Sequence, residues 1–130
     1  MEKLYKRTFL TIILSIIMLG GAKAQALEEV MNSVRGANVT ALTKYFDNIV
    51  AITINSNQAT YSKTQAEMVL KDFFVKNQVK DLEVVQSGTA GTNSQYFVGK
   101  LTTSGGPYQL YVVLKMKQDH YYLQEIRFEK

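Results

Sequence analysis

The chain has 130 residues, with 15 Lys and Arg, 11 Asp and Glu, one His, no Cys and no Trp, which gives a formal net charge of +4. This length suits a single domain. Without Cys there is no disulfide framework, no thiolate chemistry, no Cys-ligated zinc and no lipidated leader Cys, and one His excludes a multi-His site. The sequence therefore predicts neither a metal site nor a cofactor.

The positive charge is concentrated at the N-terminus. Residues 1–24 contain four basic side chains and one acidic side chain, which leaves 11 basic and 10 acidic side chains in residues 25–130. The basic side chains of that second part are scattered and balanced by acidic ones. We therefore expect no nucleic-acid partner, because nucleic-acid binding requires a basic patch or stripe.

The first 24 residues have the three-part pattern of a secretory signal peptide. A short basic stretch at 1–9 precedes an apolar run at 10–19, and two glycines end that run. Ala22-Lys23-Ala24 then supplies small residues at the two positions that a signal peptidase reads. The apolar run is about half of the ~20 residues that span a bilayer as a helix. We expect cleavage after Ala24, which leaves a single mature domain at 25–130. This domain should lie in the periplasm or outside the cell, with no stable membrane anchor. The alternative is an N-terminal anchor that is not cleaved.

The mature chain begins with two predicted helices and a strand pair. Four apolar residues recur at the spacing of one helical face: Leu27, Val30, Met31 and Val34. Gly36 can end that helix, and Asn38 can cap a second, short one. A run of β-branched residues at 49–54 predicts a strand, and a turn cluster separates it from a brief second strand at 59–61.

A long helix and four strands complete the chain. Ser62 and Gln65 have the spacing of a capping box, and apolar residues then repeat at helical spacing through Phe74. From Asp81 onward the period changes to two, which predicts an antiparallel meander. The first of its four strands starts near Leu82, and the other three occupy 95–103, 108–117 and 120–129. No repeat, low-complexity segment or linker indicates a second domain.

This order of elements predicts an α+β fold, in which a curled antiparallel β-sheet (a cone) wraps around the N-terminal helices and one long helix. The order resembles the nuclear transport factor 2-like (cystatin-like cone) superfamily over essentially all of residues 25–130. The resemblance rests on element order rather than on a catalytic motif. It therefore implies the fold and no reaction.

Four stretches carry a closer resemblance: 61–66, 69–74, 96–103 and 123–130. Together they are similar to a family of small exported proteins of this fold, typical of Bacteroidetes-type genomes and known as a domain of unknown function. This resemblance implies fold and export. It brings no active-site residues to this chain.

The resemblance also implies a pocket between the long helix and the sheet. Its candidate lining residues here are Tyr45, Asp47, Phe73 and Tyr108. Enzymes of the superfamily typically place a proton-transferring pair there, whereas the single His120 follows Asp119 at a predicted hairpin tip, where polar residues are common anyway. No catalytic set is recognisable, and we expect no enzymatic activity.

Alternation along the last two strands divides their side chains between an apolar face, which should pack on the helices, and a mixed face. The candidate interface residues on the mixed face are Tyr111, Val113, Tyr121 and Leu123. Tyrosine offers a large contact area with a polar tip, which suits a protein interface. Ordinary cross-strand packing of tyrosines on a solvated face would give the same pattern.

Two functional hypotheses follow from the sequence. The first is a non-enzymatic exported binding module that associates through its sheet face, either as a homodimer or with another protein. The alternative is a small-ligand binder or enzyme that uses a pocket inside the cone. The first is favoured by the mixed sheet face and by the lack of a recognisable catalytic set.

N-terminal sequencing of the exported protein tests the signal peptide. We expect Gln25 as the first residue, because the small residues before it match the cleavage pattern. An exported protein that still begins at Met1 would contradict the predicted cleavage.

Overall fold

The fold comprises three helices and six strands over residues 21–130, the part of the chain that the computed structural model describes. The helices are α1 (Gly21–Arg35), α2 (Val39–Thr43) and α3 (Lys63–Lys76). The strands are β1 (Phe46–Ile54), β2 (Asn57–Ser62), β3 (Val79–Thr89), β4 (Ser94–Thr103), β5 (Gly106–Lys117) and β6 (His120–Glu129). Most of the predicted signal peptide, residues 1–20, lies outside the described residues. From residue 21 to the C-terminus, no helix is long and apolar enough to cross a membrane.

The six strands form one curled, unclosed sheet in the order β2-β1-β6-β5-β4-β3. Strands β3 to β6 form the predicted antiparallel meander. The meander joins the first hairpin through a parallel pairing of β1 with β6, because α3 carries the chain from β2 across to the far edge. The predicted α+β cone is confirmed.

Side-chain caps decide where two of the helices begin. The Ser62 hydroxyl accepts a hydrogen bond from the Gln65 backbone N–H, and the Gln65 side chain accepts one from the Ser62 N–H in return. The Asn38 side chain likewise accepts from the Ala41 N–H at the start of α2. Each bond satisfies a donor that the first turn of a helix leaves without a partner, and both predicted caps are confirmed.

The β1–β2 hairpin is tighter than the sequence indicated. Only Asn55 and Ser56 form the turn, with φ of 49° and 71°. Positive φ at both central residues is the mark of a type I′ turn, which suits the right-handed twist of a hairpin. β2 therefore begins at Asn57 rather than at Ala59.

The core lies between the inner face of the sheet and the helices. Among its largest fully buried side chains are Phe46, Phe97 and Phe128, from three different strands. Helix α3 contributes Leu70, Phe73 and Phe74 to the same cluster. Since the chain has no Cys, this apolar burial has to provide the stability that a disulfide gives to many small domains.

A β-bulge in β6 changes which side chains reach the core. Val113 pairs with Glu125 and the next residue, Leu114, pairs with Leu123, so Gln124 is an extra residue in β6. One extra residue reverses the alternation of faces before the bulge relative to that after it. Leu123 is fully buried, and Tyr121 also packs against the core. The prediction that Tyr121 and Leu123 share the outer face with Tyr111 and Val113 is therefore wrong.

Candidate functional site

The outer face of the sheet carries a cluster of large side chains, here called the outer patch, formed by Tyr96, Val98, Tyr111 and Val113. Tyr96 of β4 pairs with Val113 of β5, and Val98 pairs with Tyr111. The two tyrosines therefore lie on a diagonal, with ring centroids 6.1 Å apart. All four side chains are partly exposed, so the outer patch offers contact area to a partner.

Charged side chains of both signs surround the outer patch. Register places charged residues of both signs on this face, among them Lys100, Lys115, Arg127, Glu83, Glu125 and Glu129. Arg127 lies 3.9 Å from the Glu125 carboxylate and 3.4 Å from that of Glu129. An apolar centre with a polar, solvent-accessible rim is the usual composition of a protein–protein interface.

A shallow apolar hollow of about 290 Å³ adjoins the outer patch at Val98. Val85, an extra residue where β3 loses register with β4, lines the hollow and is 69% exposed. Pro107 lies on its other side. The hollow extends the apolar area of this face toward the β3 edge.

The sequence identified half of the outer patch. Tyr111 and Val113 lie on the outer face as alternation predicts, whereas Tyr96 and Val98 were missed. Alternation along β4 places Tyr96, Val98 and Lys100 on one face. That signal could have found them, once β4 was paired with β5 as its hairpin neighbour.

The predicted pocket residues fall into two separate places. Phe73 and Tyr108 meet edge to face, with ring centroids 5.3 Å apart, in an open groove of about 470 Å³ between α3, the β1–β2 turn and β5. This space, here called the helix groove, has Ile54, Val69 and Phe73 among its apolar lining residues. Its polar lining residues are Asn55, Asp72, Lys76 and Asn77, joined by the Tyr108 hydroxyl at one side. A volume of this size falls within the range of small-molecule sites.

Asn77 holds the wall of the helix groove in place. Its side-chain NH₂ donates to the Phe73 carbonyl near the end of α3, and its side-chain oxygen accepts a hydrogen bond from the Tyr108 hydroxyl at 3.1 Å. A Cβ at Gly105 would lie 2.0 Å from that same oxygen, so any larger residue there would displace the Asn77 side chain. The sequence reasoning missed Asn77, since nothing local links it to Tyr108, 31 residues away.

Tyr45 and Asp47 are not among the residues that line the helix groove. The Tyr45 hydroxyl donates to the Glu29 carboxylate, which ties α1 to the start of β1. Asp47 accepts hydrogen bonds from Lys117 at 2.7 Å and from Gln124, the bulge residue of β6, at 3.1 Å. These two residues therefore connect elements of the fold rather than joining Phe73 and Tyr108.

The hydrogen bond from Lys117 is the main reason why the pKa of Asp47 lies below its ordinary value of 3.8. The bonds from Gln124 and from the Asn48 backbone act in the same direction, while burial opposes them. The carboxylate is held ionised as a structural link between β1 and the β5–β6 hairpin. Within residues 21–130, no three His, Asp or Glu side chains lie close enough together to hold a metal ion.

Comparison with known proteins gives one family match. The model of the family described as "Domain of unknown function (DUF4783)" matches residues 27–129. A crystal structure of a DUF4783 family protein from Bacteroides ovatus is 25% identical with a TM-score of 0.75, over 78% of this chain and 92% of that one. No curated protein sequence matches.

More distant structures share the fold alone. An NTF2-like (nuclear transport factor 2-like) protein from Cytophaga hutchinsonii has a TM-score of 0.60 at 9% identity, over 82% of this chain and 93% of that one. A putative polyketide cyclase from Sinorhizobium meliloti has a TM-score of 0.61 at 10% identity, over 79% and 92%. The predicted resemblance to the nuclear transport factor 2-like superfamily is therefore confirmed at the level of fold.

Asp47→Asn should lower the free energy of unfolding at neutral pH by about 1 kcal/mol, because it removes a charged hydrogen bond to the half-exposed Lys117. The lowered pKa means that this stabilisation is present above the unfolded-state pKa and is lost as pH falls through the folded-state value. Urea unfolding should show the difference from wild type shrinking below about pH 4.

Asp72→Asn is the matched control, because its ion pair with Lys76 is 63% and 69% exposed. We expect a smaller effect there, since exposed pairs contribute little. A loss at Asp47 that is independent of pH would contradict the role of its ionised carboxylate.

Proposed function

The chain belongs to the DUF4783 family, and from that premise we propose that it is a non-enzymatic, exported binding module that associates with a second copy of itself through the outer patch. The observation that carries the proposal is the partly exposed cluster of Tyr96, Val98, Tyr111 and Val113 within a rim of balanced charge. Tyrosines near the centre of a contact face are among the residues that contribute most affinity in protein interfaces.

The charge pattern favours a second copy as the partner. In a two-fold contact the same surface is presented by both subunits, so a rim of one sign would repel itself. The basic and acidic side chains that register places around the outer patch are equal in number, so their charges cancel. Arg127 of one copy can therefore face Glu125 or Glu129 of the other without a net charge penalty.

Two features support a role without catalysis. His120 is exposed at the start of β6, directly after the Gln118-Asp119 turn, and it is not among the residues that line the helix groove. In the helix groove, the Asn77 side chain and the Tyr108 hydroxyl already bond each other. These groups support the fold and are not free to act as a general acid and base.

Export is supported by the N-terminal pattern of basic, apolar and small residues. A periplasmic or secreted location also agrees with a chain that lacks Cys, since no thiol can be oxidised there. The mature module then starts close to the first residue of the family match, Leu27.

Tyr111→Glu should weaken self-association at least about tenfold, because it places a carboxylate at the centre of a desolvated contact. The folded monomer should tolerate the change, since residue 111 pairs across strands with Arg127. Sedimentation velocity at micromolar concentrations measures the effect. Val75→Glu is the control, because Val75 is 76% exposed on α3, away from the sheet face.

Wild-type protein that stays monomeric at these concentrations would contradict the proposal. Equal weakening by Tyr111→Glu and Val75→Glu would also contradict it, since the effect would then come from added charge and not from the outer patch.

The helix groove favours a second candidate function, the binding of a small apolar molecule with a polar group at one end. Its apolar lining includes Ile54, Val69 and Phe73, while Lys76 and Asn55 supply polar atoms around them. Met68, 66% exposed, also lines it and adds an adaptable apolar side chain. This arrangement suits an aromatic or aliphatic body with an anionic or hydrogen-bonding head.

Anilinonaphthalene sulfonate, which combines aromatic rings with an anionic group, is a suitable probe. If the helix groove binds such molecules, the probe should shift the methyl NMR signals of Ile54 and Val69, and Val69→Lys should raise its dissociation constant at least about tenfold. Val75→Lys, a matched change on the same helix outside the groove, should leave binding unchanged. Equal affinity in both variants would exclude the helix groove as the site.

A further inference from the structure

The two edge strands of the sheet differ in how well they are protected against pairing with another chain. The order of strands leaves β3 at one edge and β2 at the other. A strand at an edge exposes backbone N–H and C=O groups that can pair with another chain, and proteins usually block such edges with charge, bulges or covering side chains. The structure shows these devices on β3 and lacks them on β2.

The β3 edge is blocked in three ways. Lys80, Asp81 and Glu83 place charges along the strand. An irregularity in register between Val84 and Gln86 bends the edge. The Arg35 guanidinium at the end of α1 donates to the Leu82 carbonyl and so occupies a backbone acceptor of β3. Another strand cannot extend along β3 without displacing these groups.

The β2 edge carries no comparable block. Its six residues, Asn-Gln-Ala-Thr-Tyr-Ser, include no charge and no proline, and all but Tyr61 are exposed. The register of β2 with β1 is continuous from Ile54–Asn57 to Ile49–Ser62, with no bulge. A neutral edge without a bulge can accept another strand.

The hairpin determines which backbone groups of β2 point outward. In a two-residue hairpin the backbones of the two residues that flank the turn, here Ile54 and Asn57, are hydrogen-bonded to each other. Hydrogen-bonded pairs alternate along an antiparallel ladder, so the next β2 residues whose backbones bond to β1 are Ala59 and Tyr61. The other edge of β1 fits this alternation, because Asn55, next to Ile54, directs its N–H to the Phe128 carbonyl of β6 instead of to β2. Gln58 and Thr60 therefore direct their N–H and C=O groups away from the sheet. The outward N–H of Ser62 is already bonded to the Gln65 side chain.

We propose that β2 pairs antiparallel with β2 of a second copy about a two-fold axis at Ala59, so that two sheets join edge to edge. In this register Gln58 of each copy pairs with Thr60 of the other, and the outward N–H and C=O groups of both residues are all bonded. Ala59 of one copy then lies opposite Ala59 of the other, and its small side chain permits the close approach of a non-hydrogen-bonded pair. No like charges meet, because β2 has none.

This contact is separate from the outer patch, since it uses the backbone of an edge strand rather than side chains on the sheet face. It therefore goes beyond the proposed function and does not depend on it. A chain with both contacts has two self-complementary surfaces, so its copies can assemble beyond a dimer.

A cysteine scan tests the proposed register directly. Because the chain has no Cys, a single introduced thiol can form only an intermolecular disulfide. Residue 59 would face itself with Cα atoms about 4.5 Å apart, which is within disulfide range. Asn57→Cys is the matched control: residue 57 is also exposed and lies on the same side of β2, but in this register it faces Tyr61 of the other copy.

Both cysteine variants are made in the Tyr111→Glu background, so that association through the outer patch cannot bring the thiols together. Under mild oxidation at micromolar concentration, Ala59→Cys should form a cross-linked dimer at least about tenfold faster than Asn57→Cys, because pairing raises the local thiol concentration. Adding Thr60→Pro should remove this advantage, since proline deletes an outward N–H without touching the bonds to β1. Circular dichroism verifies that each variant is folded.

Equal cross-linking rates for Ala59→Cys and Asn57→Cys would overturn the proposal. Faster cross-linking that persists with Thr60→Pro would also overturn it, because the contact would then not use the β2 backbone. If β2 instead accepts a strand from a different protein, Ala59→Cys shows no advantage in purified protein, and self-pairing is excluded.

Discussion

The packing of the long helix on the last strand is the contact on which the rest of the structure depends. Phe73 of α3 lies 4.1 Å from Phe128 of β6, ring centroid to centroid, and Phe74 and Tyr108 complete the cluster edge to face. This cluster joins three parts of the chain that are far apart in sequence. In a chain without Cys, helix-on-sheet burial of this kind is what holds the curled sheet around its helices.

The division of roles between the two faces follows from that packing. The inner face uses nearly all of its apolar side chains on the helices, so Leu110, Val112 and Leu114 of β5 are fully buried. The outer face receives the intervening residues, and there Tyr111 and Val113 remain partly exposed beside Tyr96 and Val98. The outer patch is thus an area that the core does not need, which leaves it available to a partner.

Several polar groups in and near the candidate sites have structural roles, as the hydrogen bonds of Asn77 and Asp47 show. Asn77 closes the end of α3 and also fixes Tyr108 at the side of the groove. Asp47 bonds the bulge residue Gln124 and Lys117, and so holds the irregular part of β6 against β1. Asp47 and Tyr108, two candidate site residues from the sequence, therefore take part in hydrogen bonds that maintain the geometry of the fold.

The sequence by itself determined the order and type of the elements, because helical and alternating periods, the Ser62 cap and the turn residues are all local signals. It also determined the faces of residues 108–117 in β5, since buried and more exposed side chains alternate along that strand. Only the tertiary structure decided the faces of β6: the bulge at Gln124 depends on pairing with β5, and it moved Leu123 from the expected interface into the core. The same holds for the parallel β1–β6 pairing and for the separation of Tyr45 and Asp47 from Phe73 and Tyr108. These features arise from contacts between distant parts of the chain, which leave no periodic pattern in the sequence.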